Sequence, residues 1–440
     1  MANPMRSVLS NFWILIRGRG MAALMALGAT ALTARLLGPV EFGVLILIHT
    51  YAMLIRALLD FQTVDATVRY GVPMFDESNI TALARLITAC RKVDLKTSRI
   101  ATVLAVSIAP VVGLTMRLDI QHIVLLMVYS LVLLTTGTGT AAGILRLYNR
   151  LDILGKQLTI APTIRFLGVL IAWWLGSSIQ IIVAIWMLAY ATENFYLLWH
   201  AEREYDEHLT QTLPKNSTEN AKLDEFNGLS HFMWVAYWQS NMDVLPKHIT
   251  TVSVGYILGK AEVGLLRLAR ELSSILNKPA LMIRQVILLD LTRNWHQGND
   301  AFDIIAYRTT ILGGALGLVF VGVSYFFGEQ LLAILLGKAY VAAAPVLSLM
   351  LLAATFELAA SPLRSAAYAI GFANKVLYLY IASTTLYLLL FVILTIQLGL
   401  IGAGIAASIS ALIPLVGMFR LIHKNKHLKP TSSNKDFTLN

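Results

Sequence analysis

Two scarcities in this 440-residue chain narrow the possible folds. It has one cysteine, Cys90, which excludes a disulfide framework and a multi-cysteine metal site. Charged residues make up only 14% of the sequence, whereas hydrophobic residues make up 57%. An average soluble domain is about 25% charged, and the mean hydropathy here is +0.68, so polar residues are too few to cover a soluble core. The chain is therefore predicted to be an integral membrane protein.

Signatures of chemistry are also scarce. The sequence has no nucleotide-binding loop, no convincing nucleophile constellation and no metal-ligand spacing among its nine histidines. No enzymatic activity, cofactor or metal is predicted. The first apolar run leads directly into further runs rather than to a small-residue cleavage site, so it is expected to remain as a membrane helix.

Long apolar runs dominate what is present. A spanning helix needs about 20 mostly apolar residues, and continuous rather than alternating runs disfavour a β-barrel. The predicted class is therefore all-α, with about twelve transmembrane helices. Their approximate windows are 13–35, 43–64, 100–116, 120–145, 157–175, 179–199, 231–257, 264–286, 307–328, 341–361, 376–396 and 399–420.

The distribution of basic residues predicts the orientation. Of the 35 Lys and Arg residues, 23 fall at the N-terminus, in the even-numbered loops or in the C-terminal tail, and four fall in the odd-numbered loops. The positive-inside rule then places both termini in the cytoplasm. Because the cations are spread over these loops and not gathered in one polar domain, the net charge of +10 does not indicate a nucleic-acid partner.

The chain divides into two halves that repeat. A polar stretch, Ala201 to Gly228, separates them, which predicts an N-terminal lobe at 1–200, a cytoplasmic linker at 201–230, a C-terminal lobe at 231–422 and a polar tail at 423–440. The stretch LLGPVEFG at 36–43 returns as ILGKAEVG at 257–264, an offset of 221 residues. An even number of spans in each half predicts a parallel, pseudo-symmetric repeat.

Eight cations remain inside the predicted spans. Each costs at least about 2.5 kcal/mol on insertion scales, so they are expected to face an aqueous cavity. They are Arg17, Arg19, Arg56, Arg165, Lys247, Arg267, Arg270 and Lys278. Helical spacing places Arg56 and Asp60 on one face of the second span, Asp243 and Lys247 on one face of the seventh, and Arg267, Arg270 and Glu271 on one face of the eighth.

Acidic residues within the spans are fewer, and a cationic cavity favours an anion. Guanidinium donors match phosphate oxygens, so an acidic lipid-linked substrate fits this balance. Asp60, Asp243 and Glu271 either couple an ion gradient or act as counter-charges for the basic residues. Simpler interpretations remain for several positions: Arg17 and Arg19 can snorkel to the interface, and Asp243 and Lys247 can neutralise each other.

Three motifs resemble a known family. LLGPVEFG, its repeat ILGKAEVG, and LLGKAYVAAAPVL at 335–347 are similar to the polysaccharide transporter branch of the multidrug/oligosaccharidyl-lipid/polysaccharide (MOP) flippase superfamily, the Wzx-type O-antigen and exopolysaccharide translocases. The resemblance covers roughly residues 10 to 420. It implies a MATE-like fold of two six-helix lobes around a central cavity. It also implies that Arg17 or Arg19, Arg56, and Arg267 with Arg270 contact the substrate.

The resemblance further implies a function. An undecaprenyl-pyrophosphate-linked glycan would pass by alternating access from the inner to the outer leaflet of the bacterial cytoplasmic membrane. Membrane lipids, a polysaccharide polymerase and chain-length proteins would be the other partners. Three alternatives remain open: a MATE-like multidrug cation antiporter, a membrane polysaccharide polymerase or ligase, and a scaffold. Excess arginine within the spans disfavours the antiporter, and the absence of a large outer loop disfavours the enzymes.

Overall fold

The computed structural model describes residues 4–176, 178–210, 221–276, 287, 290–295, 297 and 301–425, except for the side chains of 4–20 and 243. These residues form helices and connecting turns, with no strand among them, which confirms the all-α class. The chain forms two compact units, Met1–Val252 (unit 1) and Ser253–Asn440 (unit 2). The division predicted at 201–230 stays a prediction.

Eight of the thirteen described helices begin in unit 1. They are α1 (Pro4–Leu59), α2 (Thr63–Asp76), α3 (Ile80–Thr115), α4 (Ile120–Ser130), α5 (Gly139–Leu147), α6 (Leu151–Trp174), α7 (Ile179–His208) and α8 (Leu229–Ile257). The other five lie in unit 2: α9 (Lys260–Ser273), α10 (Ala301–Leu335), α11 (Ala344–Ala369), α12 (Ala373–Leu398) and α13 (Leu400–Lys424). Short 3-10 segments occur at Leu131–Thr135, Leu223–Glu225 and Lys338–Ala343.

Nine helices of the described part are long and apolar enough to span a membrane. The first predicted window lies within α1, and the second, 43–64, begins in α1 and extends past the end of that helix at Leu59. Helix α1 contains a non-helical residue, Gly38, between the two windows. The seventh window, 231–257, agrees closely with α8. Of the eighth window, 264–286, the structure describes the part that lies in α9 and the turn that follows it.

Left-handed backbone positions recur in the two units. Gly38 has φ 72° and Gly259 has φ 118°, and each lies in a copy of the motif repeated at an offset of 221 residues. No atom lies within 4 Å of a Cβ built on Gly38, so glycine is needed there for its φ and not for space. Three further pairs of left-handed residues lie 220 to 223 positions apart: Arg117 and Gly337, Asn149 and Gly371, and Gly176 and Gly399.

Matching helices carry the repeat through most of each unit. Helix α3 begins at Ile80 and α10 at Ala301, α6 begins at Leu151 and α12 at Ala373, and α7 begins at Ile179 and α13 at Leu400. The helix starts are thus again separated by 221 or 222 residues. The resemblance between LLGPVEFG and ILGKAEVG therefore reflects two copies of one helical arrangement.

A buried carboxylate organises one end of unit 1. Asp94 on α3 accepts hydrogen bonds from Thr63 Oγ1 at 2.6 Å and from the backbone nitrogen of Thr140 at 2.8 Å. These partners begin α2 and α5, so one side chain ties two helix N-termini to α3. The two helices approach closely, because a Cβ built on Gly139 would lie 2.1 Å from Thr63 Oγ1.

Part of the polar stretch between the halves docks on unit 1. Arg85 on α3 holds the Glu225 carboxylate through Nε at 2.9 Å and Nη2 at 2.8 Å. These hydrogen bonds, followed by one from the Lys222 backbone nitrogen, lower the pKa of Glu225. Leu229 packs beside the buried Cys90 in the same region. Residues after the centre of the predicted linker are thus attached to the surface of unit 1.

Candidate functional site

The first basic cluster lies in unit 1 around Arg56. This arginine is on α1, three residues before the helix ends, and its Nη1 donates a hydrogen bond to the Tyr190 hydroxyl of α7. Its Nε lies 3.9 Å from Asp60 Oδ2, which confirms that the i, i+4 spacing brings these two side chains together. The Arg56 side chain is 27% exposed. A guanidinium carries five N–H donors, and Arg56 makes only the hydrogen bond to Tyr190 among the described side chains, so most of its donors remain available.

Arg165 on α6 adds a second cation to this cluster. Its guanidinium carbon lies 4.4 Å from the centroid of the Trp186 ring on α7, a cation–π distance. Its Nε is buried and has no hydrogen-bond acceptor among the described residues. A buried donor without an acceptor is costly, so an anionic ligand that reached it would be favoured.

One face of α7 gathers these groups. Trp186, Tyr190 and Glu193 follow one another at spacings of four and three residues, so they lie on the same side of the helix. The Glu193 carboxylate accepts a hydrogen bond from Gln157 Nε2 at 3.2 Å and lies within electrostatic range of both Arg165 and Arg56.

His49, two turns before Arg56 on α1, adds a further ring to the cluster. Its ring packs edge-on against Trp186, with a centroid separation of 5.4 Å, and its Nδ1 lies 2.8 Å from the Tyr129 hydroxyl. The result is a site in which aromatic rings and two carboxylates, Asp60 and Glu193, surround two arginines.

Unit 2 has a second basic cluster on α9. Arg267 Nε lies 3.1 Å from Glu271 Oε2, so this i, i+4 pair forms as the spacing predicts. Arg270 donates from Nη2 to the Tyr387 hydroxyl of α12 at 2.9 Å. Arg267 is 40% exposed and Glu271 is 16% exposed, which leaves the cation the more accessible member of the pair.

The two units therefore repeat an arrangement of side chains as well as of helices. Each contains an arginine paired with a carboxylate four residues later, and each contains an arginine that donates to a tyrosine hydroxyl from another helix. A neutral hydroxyl orients a guanidinium without cancelling its charge. Both clusters thus present oriented positive charge.

Of the other predicted site residues, the structure describes the side chain of Lys247 alone. Lys247 is exposed on α8, and its backbone oxygen accepts from Thr251 Oγ1 at 2.8 Å. The side chains of Arg17, Arg19 and Asp243, and all of Lys278, lie outside the described residues. Their roles, including the Asp243–Lys247 pair, stay predictions.

Sequence reasoning did not single out the aromatic partners of these arginines. Trp186, Tyr190 and Tyr387 lie far from their cations in sequence, and aromatic residues are common in membrane helices. One signal was available: Trp186, Tyr190 and Glu193 share a helical face in the window 179–199. A face with two aromatic residues and one acid in a predicted membrane span points to a polar interior.

One group of side chains in the described part has ligand atoms within 4.8 Å of one another, as a metal site requires: Glu204, Glu207 and His208. Both acids of this group form salt bridges with arginines: Arg150 pairs with Glu204, and Arg203 Nε lies 2.8 Å from Glu207. The group is an ion-pair network at the end of α7.

Known proteins match this chain over most of its length. The family described as polysaccharide biosynthesis protein matches residues 8–288, more than half of the chain. Inner membrane protein YghQ of Escherichia coli (strain K12) is 24% identical over 352 residues, which cover 77% of this chain and 95% of that protein.

Two solved structures show the same fold. Lipid II flippase MurJ in an inward closed conformation has a TM-score of 0.73 at 13% identity, covering 94% of this chain and 89% of that one. An inward-facing multidrug resistance MATE family transporter of the MOP superfamily has a TM-score of 0.63 at 14% identity, covering 94% and 96%.

The apolar helices, the internal repeat and these likenesses define a multi-pass membrane protein with the fold shared by MurJ and the MATE family transporter. The chain belongs to the polysaccharide biosynthesis protein family. The family match and the shared fold confirm the resemblance seen in the three sequence motifs.

Proposed function

We propose that this protein is a MOP-superfamily flippase of the bacterial inner membrane. It moves an undecaprenyl-pyrophosphate-linked oligosaccharide, an O-antigen or exopolysaccharide repeat unit, from the inner to the outer leaflet by alternating access. The observation that carries the proposal is the repeated placement of an arginine against a tyrosine hydroxyl, Arg56 with Tyr190 and Arg270 with Tyr387. Membership of a polysaccharide biosynthesis family supports a glycan as part of the substrate.

The chemistry of the clusters favours a pyrophosphate over a cation. Arginine pairs bind phosphate oxygens through several oriented N–H donors. Arg56 uses one of its donors for Tyr190, so others are available to a phosphate. The buried Arg165 Nε gains an acceptor if a phosphate oxygen reaches it. In this account Arg56, Arg165, Arg267 and Arg270 bind the substrate, with Arg17, Arg19, Lys247 and Lys278 as further candidates.

The acids near the arginines act as counter-charges. Asp60 lies 3.9 Å from Arg56 and Glu271 lies 3.1 Å from Arg267, so each carboxylate is associated with a cation. Such pairing lowers the cost of keeping an arginine in a low-dielectric site. We therefore favour this role over ion coupling for Asp60 and Glu271, and propose the same role for Asp243.

A deletion strain tests the proposal. Removing the gene should cause lipid-linked glycan to accumulate on the inner leaflet and reduce surface glycan. Complementation with Arg56→Ala or Arg270→Ala should fail at equal protein levels in the membrane. Arg203→Ala is a matched control, because Arg203 is 63% exposed at the end of α7 and pairs with Glu207 outside both clusters.

Two results would contradict different parts of the proposal. Normal surface glycan in a deletion strain that has no second flippase would refute the substrate. Full complementation by both arginine variants would refute the site while leaving the transport function intact. Loss of drug resistance in place of surface glycan would instead indicate a multidrug cation antiporter.

A further inference from the structure

A basic groove lies in unit 2, apart from the arginine cluster of that unit. It opens between the start of α12 and the end of α13, where the helices are in close contact: a Cβ built on Gly417 would lie 2.5 Å from Leu379 Cδ2. Its volume is about 530 Å³, within the roughly 300–1,000 Å³ that small-ligand sites enclose. The lining residues include Lys375, Arg420 and Lys424.

Nothing in the described part of the chain neutralises these three cations. No carboxylate oxygen there lies within 4.0 Å of them, and no acid lines the groove. Arginines of unit 1 differ, since Arg85 and Arg91 each have a carboxylate at 2.8 Å. Three unneutralised cations in one groove repel one another, and a bound anion would relieve that repulsion.

Helix electrostatics explain only part of this arrangement. Lys424 is the last residue of α13, where the helix dipole favours a cation. Lys375 is in the first turn of α12, where the dipole disfavours one. Lys375 Nζ lies 4.1 Å from the centroid of the Phe372 ring, a cation–π contact that offsets part of this cost without neutralising the charge. An anion in the groove would offset more of it.

The surface of α13 changes from apolar to basic along the helix, which matches the acyl chains and head group of a lipid. Leu412, Val416, Arg420 and Lys424 follow at four-residue spacing on one face of α13. Leu412 is 37% exposed and Val416 is 42% exposed, so an apolar stripe leads to the basic groove. The basic end lies on the predicted cytoplasmic side, where basic pockets between helices bind anionic head groups.

We propose that this groove binds the phosphate head group of an anionic glycerophospholipid of the inner leaflet. Lys375, Arg420 and Lys424 would contact the phosphate, while acyl chains would follow the stripe through Val416 and Leu412. The proposal does not depend on the transported substrate.

Lipid binding to the purified full-length protein tests it. The probes are phosphatidylglycerol, cardiolipin, zwitterionic phosphatidylethanolamine and inorganic phosphate, each titrated into delipidated protein with thermal stability as the readout. Anionic lipids should raise the melting temperature, whereas phosphatidylethanolamine and inorganic phosphate should not. The Lys375→Gln, Arg420→Gln, Lys424→Gln triple variant should bind anionic lipid on the order of a hundredfold more weakly, at about fivefold per cation.

The control removes the same charge elsewhere. Lys96, Arg99 and Lys156 are exposed cations of unit 1 on the same predicted side, so the variant with all three changed to Gln should bind like the unaltered protein. Equal weakening in both triple variants would show diffuse attraction and overturn the proposal. Saturation by inorganic phosphate, or equal stabilisation by phosphatidylethanolamine, would overturn it as well. If the triple variant is unstable, Lys375→Gln alone must still weaken binding about fivefold.

Discussion

The contact between Arg56 and Tyr190 leads to a sharp prediction about coupling between two side chains. Tyr190→Phe removes the hydroxyl that accepts from Arg56 and keeps the aromatic ring. Asp60, at 3.9 Å, then remains the other described partner of the guanidinium. A hydrogen bond to a charged group is worth about 1.5–3 kcal/mol, so transport efficiency should fall roughly 10- to 140-fold if this bond positions Arg56.

A double-mutant cycle measures whether the tyrosine acts through the arginine. The rates of glycolipid flipping by Arg56→Ala, Tyr190→Phe and the double variant are compared in proteoliposomes with equal amounts of folded protein. The double variant should be no slower than Arg56→Ala alone, because Tyr190 has no further cation to orient once Arg56 is gone. Tyr325→Phe is the matched control, since Tyr325 is 76% exposed in unit 2.

Multiplication of the two single effects in the double variant would refute the positioning role of Tyr190. That outcome would mean that Tyr190 contributes independently of Arg56. A Tyr190→Phe variant with unchanged transport would also show that the hydroxyl does not position the cation.

Three further predictions concern the architecture that holds the site. Asp94→Ala should lower the free energy of unfolding of unit 1 by about 1–3 kcal/mol or more, because a buried backbone donor loses its acceptor; thermal unfolding in detergent measures this. Gly139→Ala should cost about 1–3 kcal/mol through overpacking, whereas Gly322→Ala, with no atom within 4 Å of the added Cβ, should cost nothing. The Arg85–Glu225 contact should be complete above the ordinary carboxyl pKa of 4.5 and be lost as pH falls through the lowered pKa of Glu225; hydrogen exchange at the Lys222 amide reports it.

Each of these has its own contradicting result. Asp94→Asn keeps one acceptor oxygen and should be milder than Asp94→Ala, so equal losses would argue against the hydrogen-bonding role. Equal stability of the two glycine variants would show that α2 and α5 are not in close contact at Gly139. Exchange at Lys222 that is as slow in Arg85→Ala as in the unaltered protein would show that Arg85 does not hold the segment.

Local sequence features predicted much of the fold. Span positions follow from the length of apolar runs, and the ends of the first and seventh predicted spans follow from Gly38 and Gly259, where few other residues adopt the required φ. The pairing of Arg56 with Asp60 was also predictable, because residues four apart on a helix are neighbours. All of these features depend on residues that are near one another in the sequence.

Contacts between elements could not be predicted in the same way. The positions of Tyr190 against Arg56 and of Trp186 under Arg165 depend on how α7 packs on α1 and α6. Attachment of the polar stretch to unit 1 depends on Glu225 meeting Arg85 140 residues earlier in the chain. Spacing along one helix contains no information about these pairings.

Direct measurement of flipping tests the central claim, that two arginine clusters carry a pyrophosphate-linked glycan across the membrane. Purified protein is placed in vesicles with undecaprenyl-pyrophosphate-linked oligosaccharide labelled on the sugar, and the label on the two leaflets is followed with a membrane-impermeant reagent. We expect rapid exchange by the unaltered protein, strong loss of exchange in Arg56→Ala and Arg270→Ala, and normal exchange in Arg203→Ala. Exchange no faster than in protein-free vesicles would contradict this claim, provided that the same protein restores surface glycan in cells that have no other transporter for it.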